Sequence, residues 1–182
     1  MPATPVFAIS LSADNTSAQP IRALWGEVAQ FEDAPSMQAL GYPPHITLAI
    51  YDATLVAAEQ ARTVLAEAIR GATAPRAFFE SVRIFDSDAL ILWAAPQPSP
   101  DLHRLHNALH RRIDPALCHP HYRPDAWIPH CTLGTRIRPE RRDAARAFAK
   151  AFTGRFAVDF DSADCVSFPP VVLLESHRLP IA

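Results

Sequence analysis

Two pentapeptides, Pro44-His45-Ile46-Thr47-Leu48 and Pro129-His130-Cys131-Thr132-Leu133, share four of their five residues and lie 85 residues apart. Each begins an apolar, β-prone run, at 46–51 and at 131–137, which predicts a strand. Alternate side chains of a strand share a face, so each histidine points the same way as its threonine. The residues between them point into a core on the other side. The repeat therefore predicts two similar halves.

Two such strands that face each other would place two imidazoles and two hydroxyls around one cavity. Histidine titrates near neutral pH, so one imidazole can be neutral while the other is charged. Hydroxyl groups can donate hydrogen bonds to phosphate oxygens. The pair of motifs therefore predicts a phosphate site, whereas a single H-x-T would indicate nothing.

Length and composition are those of an ordinary globular protein. The chain has 182 residues, 49% of them hydrophobic, and a net charge of −2. This charge does not favour a long duplex nucleic acid as partner, but a nucleotide or an RNA end remains compatible with it. The three cysteines form no C-x-x-C pair, and no apolar run reaches the length of a membrane span. We therefore expect a cytoplasmic protein without disulfides, and a monomer without a membrane partner.

The remaining pattern alternates strands with amphipathic helices. Strands are predicted at 6–11, 77–85, 90–95, 156–160, 165–168 and 171–174, and helices at about 17–31, 53–70, 100–113 and 140–152. The turn between the strands at 77–85 and 90–95 is predicted at 86–88. In the last helix the apolar stripe is predicted to comprise Ala144, Ala147, Phe148 and Ala151.

Three prolines in 96–100 make this segment the best candidate for a seam between lobes. We expect one two-lobed domain over 1–182, with lobes at about 1–96 and 97–182 that could exchange strands. Each half has the order motif strand, helix, hairpin, with helices on one face of its sheet. The other faces are then free to form a groove.

The two H-x-T-L motifs, each preceded by proline, and the duplicated order of elements resemble the two-histidine phosphoesterase superfamily. This group includes the bacterial 2′-5′ RNA ligases and cyclic phosphodiesterases. The resemblance implies an α+β, bilobal fold in which two antiparallel sheets, related by a pseudo-twofold axis, flank a catalytic groove with helices on the outer faces. It also implies metal-independent hydrolysis of a 2′,3′-cyclic phosphodiester, on an RNA end or a small nucleotide, with 2′-5′ ligation as the reverse reaction. No cofactor or metal is implied.

The resemblance assigns roles to five residues. Opening a cyclic phosphodiester requires a base for the attacking water and an acid for the leaving ribose oxygen, and the family implies His130 as base and His45 as acid. The residues alone do not order the two. Thr47 and Thr132 would hold the non-bridging oxygens. Family members often carry a basic residue shortly after the second motif, and Arg136 is the nearest candidate, followed by Arg138.

Four aromatic residues flank the motif strands and are candidates for stacking on a base: Tyr42, Tyr51, Tyr122 and Trp127. The ordinary alternative for each is a place in the core or at the edge of the groove.

A histidine-rich segment suggests a different chemistry. It contains His103, His106, His110, His119 and His121. A zinc site usually needs four ligands at a deliberate spacing, and this segment has no second paired half, so solvated helix and loop histidines are the favoured interpretation. Two alternatives to a cyclic phosphodiesterase thus remain: a nucleotide-binding or RNA-end-binding module with little turnover, and a histidine-ligated metallohydrolase.

Overall fold

The computed structural model describes residues 5–86 and 88–181. Within them the chain has a bilobal α+β fold of eight strands and four α-helices, joined in places by short 3-10 turns. The strands are β1 Val6–Ser12, β2 His45–Asp52, β3 Arg76–Asp86, β4 Leu90–Pro96, β5 Cys131–Gly134, β6 Phe156–Asp159, β7 Ser162–Phe168 and β8 Val172–Arg178. The helices are α1 Gln19–Val28, α2 Ala58–Ala68, α3 Pro100–His110 and α4 Arg142–Ala151.

All eight strands belong to one antiparallel sheet, in the order β6-β3-β4-β5-β2-β1-β7-β8. Its two four-stranded halves meet where β2 pairs with β5, and this junction has a single residue pair, Ile46 with Cys131. The two sheets expected from the sequence are thus the two halves of one sheet.

Each half of the sheet takes strands from both parts of the chain. One half contains β3 and β4 with β5 and β6, and the other contains β1 and β2 with β7 and β8. The arrangement around the junction is symmetric, because β5 pairs with β4 as β2 pairs with β1. The boundary between lobes near residue 97 stays a prediction.

The helices cover the apolar face of the sheet. Helix α1 packs on β5, α3 on β2, α2 on β1 and β7, and α4 on β3 and β4. Ile46, Leu48, Cys131 and Leu133 are all buried in the core that forms there. The predicted separation of faces within the motif strands is therefore present.

Several boundaries differ from the sequence prediction. Helix α2 begins at Ala58 rather than near 53, because the carboxylate of Asp52 accepts hydrogen bonds from the backbone and hydroxyl of Thr54 and forms a turn. Strand β5 ends at Gly134 rather than near 137. The predicted turn at 86–88 includes residue 87, which lies outside the described residues.

The predicted apolar stripe of the last helix was wrong by one residue. Helix α4 buries Ala145 and Ala149, with Phe148 partly buried, while Ala144, Ala147 and Ala151 are exposed. In a helix so rich in alanine, several faces have nearly the same hydropathy, so the contact with β3 decides which one is buried.

Candidate active site

The two motif histidines and threonines lie on one face of the sheet at its central junction. Strands β2 and β5 are antiparallel, with Ile46 opposite Cys131. One step along each strand therefore places His45 opposite Thr132 and Thr47 opposite His130. All four side chains are half-buried, so they are open to solvent on the face that the helices do not cover.

A β-bulge follows each threonine. Thr47 pairs with Ser10 and Ala49 with Ile9, which leaves Leu48 as the extra residue. In the second motif, Thr132 pairs with Trp93 and Gly134 with Leu92, which leaves Leu133 as the extra residue. Bulges bend a strand and redirect its side chains, so the same distortion sets both H-x-T pairs in the same way.

A tryptophan fixes the backbone at each bulge. The indole N–H of Trp127 donates to the carbonyl of Thr47 at 2.9 Å. The indole N–H of Trp25, on α1, donates to the carbonyl of Thr132 at 3.0 Å. Each threonine carbonyl thus gains a buried donor from the helical layer, which holds the threonine side chain in place on the opposite face.

Both motif histidines have the same tautomer. Nδ1–H of His45 donates to the carbonyl of Pro43 at 2.9 Å, and Nδ1–H of His130 donates to the carbonyl of Ile128 at 2.7 Å. In each case the acceptor lies two residues earlier in the chain, in the turn that leads into the strand. Nε2 is then the nitrogen left to exchange a proton with a substrate.

Burial lowers the pKa of His45 below its ordinary value, and its bond to Pro43 opposes this effect only in part. Burial likewise lowers the pKa of His130. Cys131 lies between His130 and Thr132, but burial raises the pKa of its thiol to about 12, so it stays protonated and is no nucleophile.

The surroundings of the two histidines differ. His45 contacts the ring of Tyr42, with centroids 4.9 Å apart. His130 contacts Phe85 and Trp93, with centroids 5.2 and 5.8 Å apart. The first histidine thus contacts a phenol ring, and the second contacts a phenyl and an indole ring.

Comparison with known proteins identifies the family. A family model for the 2'-5' RNA ligase superfamily matches residues 12–167. The chain belongs to the 2'-5' RNA ligase superfamily. No curated protein sequence matched the chain.

Solved structures of this superfamily have the same fold. The chain is similar to E. coli LigT, in its apo form and with 3'-AMP, each with 16% sequence identity and a TM-score of 0.57 over 98% of this chain and 99% of that one. It is also similar to a protein described as a phosphoesterase, with 22% identity and a TM-score of 0.54 over 99% of both chains. At these identities the likeness shows the fold alone.

Two of the four aromatic residues proposed for base stacking are in the core, and that interpretation is wrong for them. Tyr51 is fully buried, so no base can reach it. Trp127 is buried as well, and its ring stacks in parallel on His106 at 4.1 Å while its N–H holds Thr47. The sequence shows only that both residues are close to the motif strands along the chain. Whether their side chains lie on the groove side or the core side depends on packing, and both lie on the core side.

The other two remain beside the site. Tyr42 is half-buried against His45. Tyr122 lines a pocket of about 330 Å³ next to His130, together with Phe85, Ile91, His119, His121, Ala126 and Ile128. Phe85 and Ile91 are partners across the β3–β4 hairpin, Ile128 comes from the loop before β5, and no motif marks the three residues. This mostly apolar pocket is the candidate for a base or another flat group.

Arg136 has its backbone fixed but its side chain free. Thr135 N–H and Arg136 N–H both donate to the carboxylate of Glu32, at 2.9 and 3.0 Å. Glu32 comes this close because Gly134 has no side chain: a Cβ there would lie 2.5 Å from Val28 and 3.0 Å from Glu32.

The Arg136 side chain is exposed and has no ion pair within the described residues. Its contact with phosphate stays a prediction, whereas Arg138 lies near Glu140 and donates to the carbonyl of Gln30.

The histidine-rich segment has a structural role in part. His106 and His110 are buried, and Nε2–H of each donates to the carbonyl of Tyr122, at 2.8 and 3.0 Å. The prediction that these two histidines are solvated is therefore wrong. They connect α3 to the loop before β5 by hydrogen bonds. His103, His119 and His121 are exposed. Within residues 5–86 and 88–181, no group of three or more His, Cys, Asp or Glu is arranged to hold a metal ion.

A larger cavity of about 740 Å³ lies away from the motifs, between α2 and α3. Its lining includes Arg70, Arg111 and Arg112, which follow the C-terminal ends of these helices. Positive charge is favourable at a helix C-terminus, so these arginines have a structural explanation.

None of the helices within the described residues is long and apolar enough to span a membrane.

Proposed function

We propose that this protein is a metal-independent phosphoesterase that hydrolyses a 2′,3′-cyclic phosphodiester on an RNA end or a small nucleotide. The observation that carries the proposal is the register of β2 and β5, which brings two imidazoles and two hydroxyls to one face. Membership of the 2'-5' RNA ligase superfamily supports the same chemistry.

In this mechanism Nε2 of one histidine accepts a proton from water as the water attacks phosphorus. Nε2 of the other donates a proton to the ribose oxygen as its bond to phosphorus breaks. The family assignment makes His130 the base and His45 the acid. Thr47 and Thr132, one beside each histidine, donate hydrogen bonds to the non-bridging oxygens and stabilise the charge that develops there.

The pocket beside His130 supports a nucleotide rather than a bare phosphate ester as substrate. Its apolar lining suits a flat base, and its position next to the histidine suits a ribose between the base and phosphorus. LigT of E. coli has been solved with 3'-AMP, a nucleotide with a ribose phosphate. In ligation an RNA 5′-hydroxyl would replace water as the nucleophile: its oxygen forms the bond to phosphorus, the bond to the 3′ oxygen breaks and that oxygen is protonated, which leaves a 2′-5′ linkage.

The decisive experiment is a panel of 2′,3′-cyclic mononucleotides and a short RNA with a cyclic end, each assayed with and without chelator. Release of a phosphomonoester that chelator does not affect supports the proposal. Tight binding without turnover would favour a nucleotide-binding module instead. Loss of activity in chelator and its return with zinc or manganese would favour a metallohydrolase. A 5′-hydroxyl RNA added to the same reaction tests ligation.

A further inference from the structure

The pseudo-symmetry of the site breaks down around a buried carboxylate. Asp164, on β7, is 3% exposed and lies opposite Ser10 of β1. In the other half of the sheet, Trp93 of β4 pairs with Thr132 as Ser10 pairs with Thr47. The residue that pairs with Trp93 on the next strand, β3, is Arg83, which is exposed. At this position of the sheet, the half that carries His45 therefore has a buried acid and the other half does not, and no feature of the sequence motifs marks it.

Three hydroxyl groups hold this carboxylate. Ser12 and Tyr42 each donate to Oδ2 at 2.6 Å, and Ser176 donates to Oδ1 at 2.6 Å. Within the described residues no lysine or arginine forms an ion pair with Asp164. Hydroxyl donors satisfy the carboxylate without neutralising it, so its negative charge remains available to a nearby cation.

The network is linked to His45 on two sides. Tyr42, which donates to Asp164, packs its ring against the His45 ring at 4.9 Å. Ser12, which donates to the same oxygen, pairs with His45 across β1 and β2. Within the described part of the chain, the ring contacts of His130 are instead with Phe85, Trp93 and Tyr122.

We propose that Asp164, held by Ser12, Tyr42 and Ser176, is a positioning residue that keeps the proton on His45 and so makes His45 the acid of the pair. The inference rests on the proposed function. It supplies, from this chain's own residues, a physical reason why two histidines with the same backbone setting take opposite roles.

Burial lowers the pKa of both histidines, and of the described groups that face His45 only His130 opposes the effect of Asp164. Tyr42 and Cys131 remain neutral, because burial raises the pKa of both. His130 is the one other titratable group acting on His45, and its positive charge would lower the pKa of His45. Asp164 acts in the opposite direction, since a negative charge favours the imidazolium. The pair therefore holds one proton more readily than two, and the charge of Asp164 favours the state in which His45 holds it.

The proton balance follows from this placement. Water loses a proton to Nε2 of His130 and forms its bond to phosphorus. The bond from phosphorus to the leaving ribose oxygen breaks, and Nε2–H of His45 protonates that oxygen. One proton enters the pair and one leaves it, so solvent exchange between the two histidines restores the starting state.

The test is an NMR titration of the histidine rings in the free protein, in the wild type and in Asp164→Asn, Tyr42→Phe and Asp161→Asn. In the wild type His45 should titrate at higher pH than His130. Asp164→Asn should move the His45 titration to lower pH and leave His130 in place. Tyr42→Phe removes one donor but keeps the carboxylate charge, so it should not move His45 to lower pH. Asp161→Asn changes another buried acid of the same region, which already pairs with Arg178, and should leave both titrations unchanged.

The activity readout should follow the titration. In Asp164→Asn, kcat at pH 7 should fall by about 10-fold, with a smaller change in KM, because fewer molecules hold the acid proton. The alkaline limb of the pH profile should move to lower pH. A His45 that titrates below His130 in the wild type would overturn the inference, and so would a folded Asp164→Asn variant with unchanged His45 titration. The order in which His45 and His130 titrate in the wild type can be measured even if the variant does not fold. This measurement needs no substrate, so a failure of the inference can be distinguished from a failure of the proposed function.

Discussion

Ile46 and Cys131 form the one residue pair through which β2 and β5 join the two halves of the sheet. Each lies between the histidine and the threonine of its motif, with its side chain in the core. The pseudo-twofold axis therefore passes close to this pair, and each histidine faces the threonine of the other motif. The same register that closes the sheet thus builds a site with contributions from both motifs.

The first prediction concerns the two histidines. His45→Ala and His130→Ala should each reduce turnover of a 2′,3′-cyclic nucleotide by a factor of about 10² to 10⁴, because each removes a general acid or base. His177→Ala is the matched control, since His177 pairs with Glu175 on β8 and should leave turnover unchanged. Steady-state kinetics measure the effect and circular dichroism checks the fold. Full activity in both motif variants would place the active site elsewhere.

The second prediction separates the two threonines. Thr47→Val and Thr132→Val keep the branched shape but remove the hydroxyl, and each should lower kcat by about 10-fold, less than the loss of a histidine. The Thr47 hydroxyl lies 3.2 Å from the Ser10 hydroxyl, whereas no such partner is present for Thr132 within the described residues. Ser10→Ala should therefore lower kcat, by less than Thr47→Val does, because it disturbs the position of the Thr47 hydroxyl without removing it. Equal kcat for wild type and both valine variants would exclude the phosphate role.

The motifs allowed the fold and the four central side chains to be predicted, because strand periodicity fixes which residues share a face. The bulges at Leu48 and Leu133 could not be predicted, since a bulge depends on the partner strand. Neither could the indole bond from Trp25 to Thr132, which joins residues 107 positions apart. That contact depends on α1 packing across the junction onto β5, and no local pattern encodes it.

Asp164 and the pocket beside His130 were missed for a related reason. Asp164 is one of many acidic residues in the sequence. Its surroundings differ from theirs only in the folded chain, where Ser12, Tyr42 and Ser176 donate hydrogen bonds to its carboxylate. The two aromatic assignments that failed, Tyr51 and Trp127, were made from position along the chain alone. Proximity to a motif strand does not distinguish its groove face from its core face when the strand carries a bulge.

The third prediction concerns the pocket beside His130. Ile128 is 50% exposed and lines this pocket, while its backbone carbonyl holds Nδ1 of His130. Ile128→Ser should keep that carbonyl but raise KM for a cyclic nucleotide by about 5-fold, because the base loses apolar contact area. Ribose 2′,3′-cyclic phosphate, which has no base, should be converted equally well by wild type and variant.

Leu55→Ser is the control for the pocket variant, because Leu55 is also an exposed apolar residue, at 61%, but does not line the pocket. It should leave KM for both substrates unchanged. The same increase in KM for both substrates in Ile128→Ser would show that the pocket does not hold the base.

The fourth prediction is the pH dependence of activity. Burial lowers the pKa of His45 and of His130, so the neutral form of each is favoured at neutral pH. Catalysis needs one charged and one neutral imidazole, so kcat/KM should rise and fall with pH around a maximum below about 6.5, the ordinary value for histidine. The two limbs belong to the coupled pair. Profiles with and without chelator should coincide, whereas activity that persists at alkaline pH and vanishes in chelator would indicate a metal-bound hydroxide.

The last prediction concerns stability, and it uses a histidine outside the site. His106 is 1% exposed, and burial lowers its pKa to about 4. In the unfolded chain its pKa should be near the ordinary value of about 6.5, so between these values the unfolded state binds more protons than the folded state. The free energy of unfolding should therefore fall as the pH decreases from about 6.5 towards 4. His106 should account for about 3 kcal/mol of this loss.

His106→Phe tests this source of the pH dependence. Phenylalanine can keep the stack on Trp127, but it cannot donate to the carbonyl of Tyr122 and does not titrate. The variant should be less stable than the wild type at pH 7, by about 1 kcal/mol, because the Tyr122 carbonyl loses one of its two donors and keeps only His110. Its stability should decrease less as the pH falls to 4, so the two curves of unfolding free energy against pH should converge. Urea titrations at several pH values measure both, and parallel curves for wild type and variant would show that His106 is not the group whose protonation destabilises the fold.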